Sequence, residues 1–357
     1  MFALRSLCLA AACFCLSMPA AAVVHCVTDE TQFRAALTAT ATSYGTVTDH
    51  DIRLTQRVFF NGASVFHAQL NAYTGSVSIS GGWNTNCAFR GSDARTTILD
   101  AQGLSAVLRI DRNSSSGGAN ARSISVSNLT LRNGNASDWA VGLRISNYIG
   151  LIEVSDVILH GHRAHRSDPW YGAAMSLNSS FASIHLRNAL LYDNGGHPAL
   201  SHVMFDSSGS VNTDPSFIVT NTTILAAGQQ ALRMRGNNRF DLFNNVILGQ
   251  VNLGWGNSQA SPPVVRRVFN HMPAPVAESQ LTIDLDTGNE IDDPQIDPST
   301  FEPLPGSPTF NAGLGNPPGG QSLMDVYGRP RVAFTYIDRG ALESQILPPL
   351  IFSNGFE

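Results

Sequence analysis

Lysine is absent from this chain: all 22 basic residues among the 357 are arginine. Mechanisms that need a lysine amine, such as Schiff-base chemistry or a phosphate-binding P-loop, are thereby excluded, and any basic chemistry must use Arg or His. Charge is also scarce, at 14% charged residues and a net charge of −5, which gives no electrostatic case for a nucleic-acid partner. Of five cysteines, Cys8, Cys13 and Cys15 fall within the first 22 residues, leaving Cys26 and Cys87. Two isolated cysteines supply neither a closed metal site nor a catalytic pattern, so a disulfide between them is expected. Beyond the N-terminus no apolar run is long enough to span a bilayer. A Ser/His/Asp signature and a phosphate-cradling glycine loop are missing too.

The first residues read as an export signal. Arg5 supplies a positive start, Leu7 to Leu16 an apolar stretch, and Ala20-Ala21-Ala22 a small-residue cleavage site before Val23. The alternative is a lipid-attachment site at Cys13, but Ala10-Ala11-Ala12 ahead of it lacks the usual large apolar residue. An exported protein meets an oxidising compartment, which suits the expected Cys26–Cys87 bridge. Segments 1–22, 23–54, 55–270, 271–345 and 346–357 are read as signal, N-terminal cap, main body, C-terminal region and tail.

What is abundant is repetition. The phrases VSNLTL (126–131), VSDVIL (154–159), LRNALL (186–191), VTNTTI (219–224) and FNNVIL (243–248) share one pattern, with a polar anchor at Asn128, Asp156, Asn188, Asn221 and Asn245. Steps of this size mark stacked repeats. The phrases are rich in Val, Ile, Leu and Thr with near period-2 alternation, so each is a strand. A second phrase follows each: AVGLRIS (140–146), GAAMSLNS (172–179), PALSHVMF (198–205) and QALRMRGN (230–237), with AVLRID (106–111) as an earlier relative. Alternation puts Leu108, Ile110, Leu143, Ile145, Met175, Leu177, Leu232 and Met234 on one face and Arg109, Arg144, Ser176 and Arg233 on the other. Asn suits the bend between strands because it tolerates left-handed backbone, and stacked Asn side chains can bond as a ladder. The expected fold is all-β, a single-stranded right-handed parallel β-helix (solenoid) with a short N-terminal capping helix and an irregular C-terminal cap. A β-sandwich with variable hairpins is the alternative, and it requires no fixed Asn column. In the cap, Thr28 is expected to start a helix running from about Asp29 to Leu37.

Over residues 55–270 these phrases resemble right-handed parallel β-helix proteins of the pectate-lyase-like superfamily. DDPQIDPSTFEPLPGSPTFNAG (292–313), DVYGRPR (325–331) and IDRGALE (337–343) resemble the choice-of-anchor Q region of bacterial surface proteins, although Asn311 and Arg339 depart from its usual residues. That resemblance implies a surface-associated chain, and independently of it the turn-rich SPTFNAG and DRGALE segments are expected to wrap the last repeat as a cap. The final IFSNGFE resembles a short tail that ends many exported bacterial proteins. Enzyme motifs of the superfamily carry over poorly: NTD (212–214) stands alone, HGH (160–162) inverts the polygalacturonase order, and a motif ending in lysine cannot exist. The lyase arrangement of calcium-binding Asp with Arg as base stays open, because its residues converge from different repeats.

Candidate binding residues cluster in repeated loops. SDWA (137–140) and SDPWYGAA (167–174) place Asp138 with Asp168 and Trp139 with Trp170 at equivalent positions, a carboxylate and aromatic pair suited to a sugar; the plainer reading is turn caps and loop seals. His160, His162, Arg163 and His165 precede the second loop, and Tyr192, Asp193 and His197 follow one repeat later. Histidines two apart could share a face and hold a metal, or simply be solvated. Arg144, in line with Arg109 and Arg233, presents a fork that suits carboxylate or sulfate groups, or a hydrated surface. The leading function is an exported or cell-surface protein, a monomer, that binds glycans or surfaces without catalysis. Its partner is a polysaccharide or cell-surface glycan, and no metal or cofactor is required. The alternative is a polysaccharide lyase or glycoside hydrolase acting on an acidic polysaccharide, with Ca2+ in the lyase case.

Overall fold

The computed structural model describes residues 22–42, 47–71, 73–112, 122–137, 140–165, 172–197, 200–207, 216–236, 239–254 and 262–345. Nearly all regular structure there is β, and every ladder between the named strands is parallel, joined in one 18-stranded sheet and one of three short strands. The all-β class and the parallel pairing are as expected. Pairing begins at Val23–Val27 and continues to Thr282–Thr287, beyond the 55–270 body on both sides.

The ladders follow the repeats. Leu108 pairs with Leu143, Leu143 with Met175, Met175 with Val203, Val203 with Leu232 and Leu232 with Val251. All six are essentially fully buried, in one apolar cluster that runs from Val27 to Met272. Alternation explains this: in a strand only every second residue faces inward, and in-register pairing lines those residues up from repeat to repeat.

The corner between strands is left-handed in each repeat. Asn128, Asp156, Asn188, Asn221 and Asn244 have φ of 56°, 55°, 50°, 48° and 54°. The last anchor is thus Asn244, one residue before the expected Asn245, because Thr220 pairs with Phe243 and Thr223 with Val246. Asn245 starts a neighbouring column instead: its Nδ2 donates to Asn270 Oδ1, and Asn270 Nδ2 donates to Asn289 Oδ1, both at 2.9 Å. In the first column Asn188 Nδ2 donates to Asp156 Oδ1 at 2.7 Å and Asn244 Nδ2 to Asn221 Oδ1 at 3.0 Å. The column is broken between them, since Asn188 Oδ1 and Asn221 Nδ2 are buried and neither has a partner.

At the N-terminal end a helix spans Glu30–Ala41, longer than expected, and its cap is Asp29 rather than Thr28. Asp29 Oδ1 accepts the Gln32 amide at 2.8 Å, while the Thr28 hydroxyl is engaged with the Gln32 side chain. A carboxylate also favours the positive helix start. The helix buries Phe33, Ala36 and Leu37, with Phe33 packed on Phe59 and Phe66. The Cys26–Cys87 disulfide forms, with Cα atoms 5.7 Å apart.

The C-terminal region does not close the far end. It runs back along the flank as a strap, docked on the left-handed corners: Leu314 exchanges two hydrogen bonds with the Asn244 side chain, Arg187 Nη1 donates to Gly319 O, Ser322 Oγ to Asp156 Oδ1, and Asn188 Nδ2 to Met324 O. Further on, Val326, Ala341 and Leu342 cover Ile158 and Leu190, which point outward from their strands. The expected cap therefore fails for a physical reason: the flank offers free corner amides and an apolar stripe to dock on. Thr282–Thr287, by contrast, is exposed along its whole length. Within the strap Arg331 is fully buried, its Nε and Nη1 without partners, and Glu343 is buried close by. Burial first, then the Asp338 carboxylate, pushes Glu343 up to about 8.

Two measurements follow from these features. Asn188→Gly deletes the amide bonds while keeping left-handed freedom and should cost about 1–3 kcal/mol in urea unfolding; Asn188→Leu adds roughly 1–2 kcal/mol of left-handed strain. Wild-type midpoints for both would show that the column carries no stability. For Glu343 the fold favours the neutral carboxyl. Its contribution is present in full below the ordinary pKa of 4.5 and is lost as pH rises through about 8. The melting advantage of Glu343→Gln over wild type should therefore grow between those two values, and a pH-independent difference would refute the burial argument.

Candidate ligand groove

Asp138, Trp139, Asp168 and Trp170 lie outside the described residues. The strands that flank their loops are paired: Asn135–Ala136, Arg163–Ala164 and Gly195–Gly196 form the three-stranded parallel ladder. It brings four expected residues to one exposed flank. Arg163 Nη2 meets Asp193 Oδ1 at 2.7 Å, His165 Nε2 lies 2.5 Å from Asn135 Oδ1, and the His197 amide donates to Ala164 O at 3.1 Å. His160 and Tyr192 belong to the neighbouring strand column, where their rings stack at 4.8 Å and Tyr192 leans on Phe301 of the strap at 4.3 Å.

His162 departs from expectation. Gly161, at φ 71°, turns the chain so that His160 faces outward while His162 is 0% exposed, and the two cannot share a face. His162 Nδ1 accepts the Gly134 amide at 3.0 Å. Burial, then the charge of His160, pushes its pKa down to about 3, so it is a neutral packing residue. Its ring fills the space that side chains at Gly134 and Gly142 would need: a Cβ on Gly142 would lie 2.6 Å from His162 Nε2 and 2.3 Å from Ala174 O.

The arginine column is corrected as well. Arg144 is buried and sits 3.6 Å from Asp111, which also holds Arg109 and, at 3.0 Å, His67. Arg233 is bound by Glu278 at 2.9 Å. Each fork expected to meet an acidic ligand is engaged by a carboxylate of the chain itself.

The next outward column is buried at Asp111 and partly open from Ser146 onward. Asp111, Ser146, Asn178, Asp206 and Arg235 stand in register on successive strands. Ser146, Asn178 and Asp206 line a cavity of about 210 Å³ with Tyr148, Ser180 and Arg112. Burial raises the Asp206 pKa, opposed by Arg235, whose Nη1 is 3.7 Å away. Carboxamide, hydroxyl and carboxylate groups stacked one ladder step apart, with an aromatic ring alongside, can meet successive hydroxyls of a chain-like ligand. They cannot serve as a glycosidase pair. Asp111 and Asp206 are separated by three ladder steps of roughly 4.8 Å, well beyond the spacing of about 5–9.5 Å that such catalysis uses. Asp206 was within reach of the sequence: PALSHVMF was read as a strand, and one further outward position reaches it.

Among the described residues no group of three His, Cys, Asp or Glu side chains converges to hold a metal ion, and no helix is long and apolar enough to cross a membrane. Comparison with protein families, curated proteins and solved structures gives no match.

The packing around His162 is directly testable. Gly142→Ala should cost about 1–3 kcal/mol by overpacking. Gly195→Ala, whose new Cβ would meet only Arg163 Nη1 at 4.0 Å, should stay within about 0.5 kcal/mol. Equal stability of the two variants in thermal melts would mean that His162 does not fill that space.

Proposed function

We propose that the chain is an exported, cell-surface or extracellular protein, a right-handed parallel β-helix of pectate-lyase-like type, that binds glycans without catalysis in the groove of Ser146, Asn178 and Asp206. Pairing supports the winding. The Leu143–His160 strand pairs with Leu108–Arg112 through its first half and Ile124–Arg132 through its second, and with Gly172–Tyr192 along most of its length on the other edge. A helical winding matches consecutive segments of one repeat with consecutive segments of the next in this manner, and parallel crossovers are right-handed in nearly all proteins. The signal-like N-terminus and the disulfide support export. The strap bears the segments that resemble a surface-anchor region, which supports a surface location.

Glycan binding rests on one observation: three hydrogen-bonding side chains in register beside Tyr148, with Arg144 and Arg233 of the adjoining column held by Asp111 and Glu278. A second reading, an acidic-polysaccharide lyase in the same groove, is favoured by Arg112. It has no ion pair among the described residues, and burial beside Arg122 pulls its guanidinium down to about 10. Glycan arrays and whole-cell binding should show a ligand for the wild type. Asn178→Ala should weaken it severalfold, the worth of a neutral hydrogen bond, and Asp206→Asn about tenfold or more, the worth of a hydrogen bond to a charged group. Blank arrays and blank cells with folded protein would remove the proposal. Ultraviolet-absorbing unsaturated products from acidic polysaccharides, dependent on Ca2+, would replace it with the lyase.

A further inference from the structure

A different groove lies where the strap crosses the left-handed corners. It has a volume of about 530 Å³, within the usual range for small-molecule sites, and it is walled by Arg90, Asn128, Asp156, Arg187 and the strap residues Ser322 to Met324. Its polar side chains are bonded in part, and each keeps an atom without a partner among the described residues. Asn128 is 3% exposed; its Nδ2 is fixed by Gly81 O and Gly91 O, which leaves the buried Oδ1 as an acceptor with no partner. Arg187 has a buried, unpartnered Nε, its other nitrogens being held by Gly319 O and Glu153. Asp156 uses Oδ1 for Asn188 and Ser322, and its Oδ2 makes no hydrogen bond to the described residues. Arg90 Nη2 is held on Ser127 Oγ at 2.8 Å and its Nε on Gly81 O at 3.1 Å, which leaves Nη1 as its donor toward the groove. Ser127, Ser155 and Arg187 are in register, so Ser127, which holds Arg90, stands two ladder steps, roughly 10 Å, from Arg187, and Asp156 follows Ser155 on the strand between.

We infer that this groove binds a neutral sugar residue through adjacent hydroxyl groups. Each hydroxyl both donates and accepts, which matches two free acceptors, Asn128 Oδ1 and Asp156 Oδ2, set between two guanidinium donors. An inorganic oxyanion such as sulfate offers no proton to Asn128 Oδ1. A cation would face both arginines. The fixed charges also balance, Arg90 and Arg187 against Asp156 and Glu153, so neither sign of ligand is favoured. Leu323 and Met324, 88% and 38% exposed, give the rim an apolar surface for the C–H face of a sugar ring. The inference does not depend on the glycan groove proposed above, which uses none of these residues.

Titration of the full-length protein with D-glucose, D-galactose, D-mannose and myo-inositol, by calorimetry or saturation-transfer NMR, tests it. At least one of these should saturate. Arg90→Gln should weaken it by about tenfold; because Arg90 also holds Gly81 O and Ser127 Oγ, thermal melting checks that the variant is folded. Leu323→Ser, at an exposed rim position, should weaken it more mildly and serves if Arg90→Gln misfolds. Asp206→Asn should leave it unchanged, which separates this site from the other groove. No saturation by any of the four, competition by sodium sulfate, or wild-type affinity in the folded variants would overturn the assignment.

Discussion

The left-handed corner is the constraint on which the rest of this molecule depends. A non-glycine residue with φ near 50° pays roughly 1–2 kcal/mol relative to ordinary backbone. Here that conformation recurs from Asn128 to Asn244 and continues at Phe269 and Gly288. Asn and Asp lower the cost through local hydrogen bonding, and the side-chain bonds from Asp156 to Asn188 and from Asn221 to Asn244 offset more of it. Where Phe269 takes the corner, the amide column has moved one residue on, to Asn245, Asn270 and Asn289. Gly288 follows because its neighbour is the Phe269 ring, 2.6 Å from where a Cβ would stand. The corner keeps the strands of each repeat in register and leaves a line of side-chain groups facing the flank.

Charge is handled without lysine by sharing guanidinium forks inside the fold. Asp111, fully buried, is held by His67, Arg109 and Arg144; Asp241, also fully buried, by Arg239 and Arg266. A planar fork can satisfy a carboxylate while its remaining N–H groups reach the backbone, a division that a lysine ammonium performs less well. The consequence reaches function. An arginine column that looks in sequence like a surface for acidic ligands is largely consumed by structure, and the polar groups left for a ligand are amides, hydroxyls and single carboxylates.

The sequence revealed the strands, the inward residues and the corners because these follow from short, repeated patterns of period two. Leu143, Met175 and Leu232 could be assigned from alternation alone, and Cys26 with Cys87 by elimination. The site was less legible. His160 and His162 look like a pair until Gly161 turns one inward, and that turn depends on φ rather than on residue type. The strap was misplaced because its docking is long-range: nothing near Leu314 or Met324 in sequence names Asn244 or Asn188. FNNVIL offers two asparagines, Asn244 and Asn245, as the anchor, and only the pairing of Phe243 with Thr220 distinguishes them.

Strap and corners together explain why a concave polar site exists on that flank. Strands alone present a surface on which Asn128 Oδ1 and Asp156 would be hydrated. Laying Ser322 to Met324 across them excludes much of that water, and exclusion is what makes an unpartnered acceptor costly and a matching hydroxyl valuable. The strap is held at the later repeats through Asn244 and Thr220, and at the repeats of Asp156 and Asn188 through Ser322, Met324 and the apolar contact of Val326 and Leu342 with Ile158 and Leu190. In this arrangement the corner amides hold the fold and Arg90 joins them through Gly81 O and Ser127 Oγ, while Leu323 stays exposed on the rim of the groove.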